Sequence, residues 1–348
     1  MSALNSVLSR ITRGLTAAIA AVGITSCGPE QTAPDLSDEA PSQTTNNRPT
    51  TTGGYVAVDL GTLGGTFSQA NNINAKGQVV GFSRIAGGEI HTFLWYRGVL
   101  TDLGKLGSPG GINPRGEVLV GTLIWYQGAL TDLHPPGATF PLSPSDINPS
   151  GQVVGWRIPE GAFLWNKGVF TDLRFSPQGI FEDPTAIDPA GKVVGEGIMK
   201  DNDGEAHAVL WSKGTLFDLG TLGGTYSRAT DINPAGEVVG FSSLPGEDDT
   251  HHAFLWRRGR MTDLGTLSTL GGYFSEAYAI NDAGQVVGNW VSGTGQTHGF
   301  VWTRGTMTDL APLGGRFSRA LDINSKGQIV GVSSTAGGEL RATMWTPQ

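Results

Sequence analysis

From residue 55 onward the chain writes one pattern of roughly 42 residues seven times, a period that marks a repeat architecture with blade-sized units. The clearest copy runs Asp218-Leu-Gly-Thr-Leu-Gly-Gly-Thr-Tyr-Ser-Arg-Ala-Thr-Asp-Ile-Asn-Pro-Ala-Gly-Glu-Val-Val-Gly-Phe241. After a loop it resumes at His252-Ala-Phe-Leu-Trp-Arg-Arg-Gly-Arg-Met-Thr-Asp-Leu264. Units begin at the Asp-Leu pairs 59, 102, 132, 172, 218, 263 and 309.

Two turn signals recur in register. Asn/Asp-x-x-Gly begins at Asn74, Asn113, Asn148, Asp188, Asn233, Asn281 and Asn324, and has the composition of a type I turn. Trp-x-x-Gly begins at Trp95, Trp125, Trp165, Trp211, Trp256 and Trp302, with Trp345 as a seventh Trp that lacks the Gly. Short apolar runs flank each turn. In the fifth unit they predict strands at Arg228–Asn233, Glu237–Phe241, Ala253–Trp256 and Arg260–Leu264. Turns this tight join antiparallel neighbours, which argues against a parallel β-helix. A four-stranded meander that is apolar on both faces must be covered on both, which is the condition of a propeller blade. The Gly after each Val-Val pair is expected to let neighbouring blades approach closely.

The segment Tyr55-Val-Ala-Val-Asp-Leu60 resembles a fourth strand with no first three before it, and the last unit has three strands and no fourth. Pairing them closes a ring and removes two sheet edges. The expectation is therefore an all-β, seven-bladed propeller over residues 55–348. The second unit is short, with almost no loop between its second and third strands, so six blades plus a degenerate one is the alternative.

Composition agrees. Glycine supplies 53 of 348 residues, about twice the ordinary share, without a Gly-X-Y period. A net charge of −8 argues against a general nucleic-acid binder, and a single Cys excludes a disulfide framework.

Residues 1–27 carry Arg10 and Arg13, then the apolar run of residues 14–25, then Ser26-Cys27. This is the order of a secretory signal, and the run is too short for a membrane span. Ile24-Thr-Ser-Cys27 resembles the lipobox of bacterial lipoproteins, which implies lipid attachment at Cys27 and membrane anchoring through it. Gly28 in place of Asp leans toward the outer membrane or cell surface, again by that resemblance. Residues 28–54 hold one aliphatic side chain, Leu36, among Pro, Ser, Thr and Asn, and are expected to be a disordered tether.

The motifs HAFLW, DLGTLGG, S-x-A, DIN-x-x-G and VVG over residues 55–348 resemble those of the HAF repeat family of probable bacterial extracellular proteins. The core His252-Ala-Phe254 is intact, whereas Thr92, Val209 and Gly299 depart from it in other units, and units two, three and seven lack the His. The resemblance implies export and repeat architecture, and carries no activity.

Chemistry is expected on the variable loops between second and third strands and between blades, which share one face of the ring. Gln69, Arg228, Glu276 and Arg319, each following a repeated Ser, are candidates for the rim of the central mouth. Asp201, Asp203 and Glu205 in one loop and Glu247, Asp248 and Asp249 in the next form acidic clusters suited to Ca²⁺ or a basic partner. Asp201-Asn-Asp203-Gly mimics part of an EF-hand, but its frame puts Met199 and Leu210 at ligand positions. His91, His207, His252 and His298 share a register, one per blade, so a structural hydrogen bond fits better than convergence on one metal. Ser68, Ser227, Ser275 and Ser318 belong to the common motif, and no Gly-x-Ser-x-Gly elbow is present. These features favour a lipid-anchored binding or scaffolding propeller for a protein or glycan ligand. The alternative is a secreted hydrolase or lyase acting on saccharide or peptide.

Overall fold

The computed structural model describes residues 50–52, 54–200, 204–267 and 271–348, with the main chain alone for 50–52 and 247–249. The leader with Cys27 and the linker up to residue 49 lie outside the described residues. Among the described residues there are strands and turns but no α-helix.

Seven antiparallel sheets form the blades. Blade 1 shows the plan, with strand a at Gly64–Ile73, b at Val79–Ile85, c at Ile90–Tyr96 and d at Val99–Gly104. Blades 2 to 6 cover 109–132, 142–172, 179–218, 227–265 and 274–310. Blade 2 is complete: Pro109–Ile112, Val118–Val120, Leu123–Tyr126 and Ala129–Asp132 pair in order. The count is seven.

Blade 7 consists of Gly314–Ile323, Ile329–Thr335 and Leu340–Pro347, with Tyr55–Asp59 as its strand d. Tyr55 lies opposite Pro347 and Asp59 opposite Thr343. The ring thus closes by the exchange expected from the two ends of the repeat region. Thr50–Thr52 adds a short fifth strand beside Tyr55–Ala57, so three residues assigned to the tether belong to this sheet.

The a–b and c–d turns are built differently. In the first, Gly77 N–H donates to Asn74 O at 2.9 Å, while Asn74 Oδ1 accepts from Lys76 and Gln78 N–H at 3.0 and 3.1 Å. In the second, Arg97 and Gly98 both have positive φ (50° and 87°), and the same pairing recurs through Arg304 and Gly305. Two consecutive positive φ values make a type I′ hairpin, whose twist matches the flanking strands.

Each Val-Val pair points its two side chains to opposite faces, so successive blades share seven apolar clusters. Every cluster contains one of the repeated Trp residues, which are therefore core. The following Gly does not serve contact between blades, as the sequence suggested. A Cβ on Gly240 would lie 1.9 Å from the Arg228 carbonyl of its own strand a, and Gly81, Gly195, Gly288 and Gly331 repeat this. Strand a bulges there, between Ala229 and Asp231 in blade 5, and presses its main chain onto strand b.

Candidate functional site

The inner strands a neighbour one another around the ring and enter from the loop-bearing face. Their ladders place Gln69, Ser143, Asp183, Arg228, Glu276 and Arg319 at equivalent positions, opposite Phe82, Trp156, Glu196, Phe241, Asn289 and Val332. Gln69, Arg228, Glu276 and Arg319 therefore do share a register, and all four are partly exposed. On blades 4 to 7 the series reads acid, base, acid, base.

Blades 4 and 5 meet through a satisfied network. The Arg228 guanidinium donates to Asp183 Oδ2 at 2.6 Å and to Glu196 Oε2 at 3.1 Å, and Tyr226 OH donates to the same Glu196 oxygen at 2.6 Å. Burial works to lower the Arg228 pKa, but Asp183 and Glu196 outweigh it and raise the value. Burial, then the Glu196 charge, also raises the Tyr226 pKa. Burial and Glu196 together raise the neighbouring Glu182.

Blades 6 and 7 carry an acid and a base at the same register but bond them differently. Tyr278 OH donates to Glu276 Oε2 at 2.6 Å, and the Arg319 guanidinium lies over the Tyr278 ring, 6.0 Å from its centre. Asn289 occupies the place of Glu196. Among the described residues no carboxylate lies within ion-pair distance of Arg319, and its buried Nε has no hydrogen-bond partner. Asn289 is 3% exposed and its Oδ1 is likewise unpartnered. Burial, then the Glu276 charge, raises the Tyr278 pKa.

Deeper on the same strands stand Asp146, Asp231 and Asp322, from blades 3, 5 and 7. Each takes two main-chain N–H groups. Asp231 Oδ1 accepts from Ile232 at 2.7 Å and Oδ2 from Ile280 of the next blade at 2.8 Å. Asp146 and Asp322 do the same toward Ile187 and Ile73. Burial pushes these carboxyls up to about 7 for Asp146, about 6 for Asp231 and about 8 for Asp322. Their mutual repulsion adds to this for Asp146 and Asp322.

Aromatic side chains stand near these strand entries on blades 1, 5 and 6. Phe67 packs on Phe82, and His251 touches Tyr226, Phe241 and Phe274. A cleft of about 580 Å³ opens between blades 6 and 7, lined by Thr297, Arg316, Phe317 and Ser334 among others. A second, of about 610 Å³, lies along blades 2 and 3 beside Asp132, His134 and Trp165.

The motif residues take structural roles. His91, His207 and His252 each set Nδ1 against the Asp eleven positions later, at 2.8 to 3.0 Å from Asp102, Asp218 and Asp263. His298 instead stacks on Trp290, whose Nε1 donates to Asp309. The motif serines stitch blades together: Ser227 Oγ donates to Gly220 O and accepts from Ala208 N–H. Of the acidic loops, Asp201 and Asp203 lie outside the described residues, as do the side chains of Glu247, Asp248 and Asp249. Glu205 is described, in the loop just before strand c of blade 4. Among the described residues no three His, Cys, Asp or Glu form a metal-sized group.

No family model matches the chain, and no curated protein matches it. Solved propellers do. The β-propeller domain of the Trilobed protease from Pyrococcus furiosus aligns with a TM-score of 0.51 at 12% identity, over 80% of this chain and 93% of that one. The BP39L lectin from Burkholderia pseudomallei aligns at 0.45 and 10% identity, over 81% and 96%. The gluconolactonase XC5397 from Xanthomonas campestris aligns at 0.42 and 13% identity, over 91% and 99%. The first of these alignments agrees with the β-propeller fold, and at 12% identity it shows the fold alone.

Proposed function

We propose that this chain is an envelope-anchored binding propeller that takes its ligand at the mouth on the loop-bearing face. One observation carries the reading: four successive blades bring side chains of alternating charge to one register of the inner strands, and the pair on blades 6 and 7 is not internally neutralised. Fixed charges on a rigid scaffold, with aromatic faces nearby on blades 1, 5 and 6, suit recognition of a polar ligand. The motif serines are committed to structural hydrogen bonds, and Asp183 and Glu196 are held by Arg228, so neither set offers a free nucleophile or acid–base pair. The lipobox-like Ile24–Cys27 segment and the resemblance to HAF repeats support export and a lipid at Cys27.

The test is equilibrium binding of the full-length chain to glycan and peptide libraries, with each captured compound followed for turnover. Binding without turnover is expected. Turnover that Glu276→Gln abolishes would instead make the protein an enzyme. Mass spectrometry of the mature N-terminus tests the anchor, which requires fatty acid on Cys27.

A further inference from the structure

The two inter-blade networks differ in the place of the tyrosine and in the second acid, and the second difference defines a ligand. In blades 4 and 5, Glu196 supplies the carboxylate that completes Arg228. In blades 6 and 7, Asn289 stands at that position, and Arg319 is left without a carboxylate among the described residues. A guanidinium held over an aromatic ring with its charge unmet is a receptor for a planar anion, above all a carboxylate. Asn289 hydrogen-bonds the same Tyr278 that Arg319 lies over, its buried Oδ1 is an unpaired acceptor, and such an acceptor costs free energy until a donor reaches it.

Access follows from the strand. Phe317 lines the cleft between blades 6 and 7 and precedes Arg319 by two positions, so both side chains leave the strand on one face. That cleft offers the Thr297 hydroxyl, the Arg316 guanidinium and one aromatic ring, Ser334 being committed to the Arg316 and Phe317 main chain, and this lining suits a polar anion more than a hydrocarbon.

We infer that the mouth between blades 6 and 7 binds a sugar acid, its carboxylate taken by Arg319 and an adjacent hydroxyl donating to Asn289 Oδ1. The inference rests on the binding reading above, and it names the ligand class for that site. Glu276 is occupied by Tyr278, which sets the edge of the site and disfavours a ligand with a second anionic group there.

Calorimetric titration of the full-length chain with glucuronate, glucose and acetate tests this. Glucuronate should bind at least about tenfold tighter than either of the others, the worth of one hydrogen bond to a charged group. Arg319→Met should lose that margin. Asn289→Glu should lose it too, because the new carboxylate takes the place Glu196 has beside Arg228 and neutralises Arg319 internally. Far-ultraviolet dichroism and a melting curve establish that each variant is folded, and Asn289→Glu should melt no lower than the parent. Equal affinity for glucose and glucuronate, or undiminished glucuronate binding by Arg319→Met, overturns the carboxylate assignment while leaving a binding mouth intact. Acetate binding as tight as glucuronate overturns the role of Asn289. Absence of binding by every library compound at the mouth removes the functional reading itself.

Discussion

Asn324 donates its side-chain N–H to the carbonyl oxygen of Asn74 at 3.1 Å, joining residues 250 positions apart. The same bond runs from Asn74 to Asn113, Asn113 to Asn148, Asn148 to Asp188, Asn233 to Asn281 and Asn281 to Asn324, at 3.1 to 3.2 Å. A belt of side-chain amides thus encircles the turn-bearing face, one link per blade, and it is interrupted where Asp188 has no N–H to give. Asn324→Asp keeps the acceptor used by Lys326 and Gln328 and deletes the donor. It should cost about 1–2 kcal/mol in urea unfolding, the range for a buried hydrogen bond lost together with satisfaction of its partner.

The interrupted link offers the converse experiment. Six of the seven turns place Gln or Glu four residues after Asn, where it accepts from the amide, as Gln78 does from Asn74 at 2.8 Å. The seventh has Lys192 after Asp188. Replacing both at once, Asp188→Asn with Lys192→Gln, should complete the belt and raise stability by roughly 1 kcal/mol. The urea midpoint should rise at unchanged slope.

This belt also marks how far the sequence could be read. Blade number, strand order and ring closure follow from the turn spacing and from Tyr55–Leu60, because each is a local pattern repeated. The amide belt does not, since Asn74 in sequence looks like a turn residue and its second partner lies a blade away. Gln69, Arg228, Glu276 and Arg319 were legible because each follows the motif Ser. Asp183 was not, because blade 4 reads Glu182-Asp183-Pro184 where blades 1, 5, 6 and 7 read Ser-x-Ala. Glu196 and Asn289 follow the Gly of the Val-Val-Gly signal directly, and that position was the available clue. The loops that set blade spacing vary in length, so no fixed interval identifies a partner across an interface.

The three inner-strand carboxyls make stability depend on pH. Their folded pKa values lie above the ordinary carboxylate value of 3.8, at about 7, 6 and 8 for Asp146, Asp231 and Asp322. A raised value means the fold holds the proton more tightly than the unfolded chain does. Their contribution is therefore complete below pH 4 and is lost as pH rises through 6 to 8. Each is still partly exposed, which moderates the effect. The melting temperature should fall by a few kelvin between pH 5 and pH 9, corresponding to about 1–2 kcal/mol in a chain of this size. The triple variant Asp146→Asn, Asp231→Asn, Asp322→Asn should start from a lower value and show a flatter profile over that range.

The His–Asp pairs are not equivalent, and one substitution separates them. His252 Nδ1 is 3.0 Å from Asp263, whose pKa the His, together with the Gly265 N–H, holds below the ordinary value against the opposing effect of burial. His298 Nδ1 is 3.4 Å from Asp309 and makes no hydrogen bond, because the Trp290 indole has taken that carboxylate. Phenylalanine preserves a ring and removes the donor. His252→Phe should cost about 1 kcal/mol. His298→Phe should be close to neutral, since stacking on Trp290 survives. Chemical denaturation at pH 7 compares the two directly.

Glycine at the bulge and glycine at the outer hairpin should respond on different scales. Gly259 sits at φ +79° with open space around its Cα, so Gly259→Ala meets conformational strain alone, about 1–2 kcal/mol. Gly240 has an ordinary φ, and its difficulty is steric: an added Cβ would stand 1.9 Å from the Arg228 carbonyl oxygen. That oxygen belongs to strand a, whose neighbour Ala229 is fully buried against blade 4, so the strand cannot retreat without opening a core cluster. Gly240→Ala should cost more than about 3 kcal/mol, the scale of a forced backbone shift in a packed core. It should also disturb Arg228, whose bonds to Asp183 and Glu196 depend on where strand a lies. A Gly240→Ala protein that melts within a few kelvin of the parent would show that strand a is free to move at the bulge, and the charged register at the mouth would then lose its rigid support.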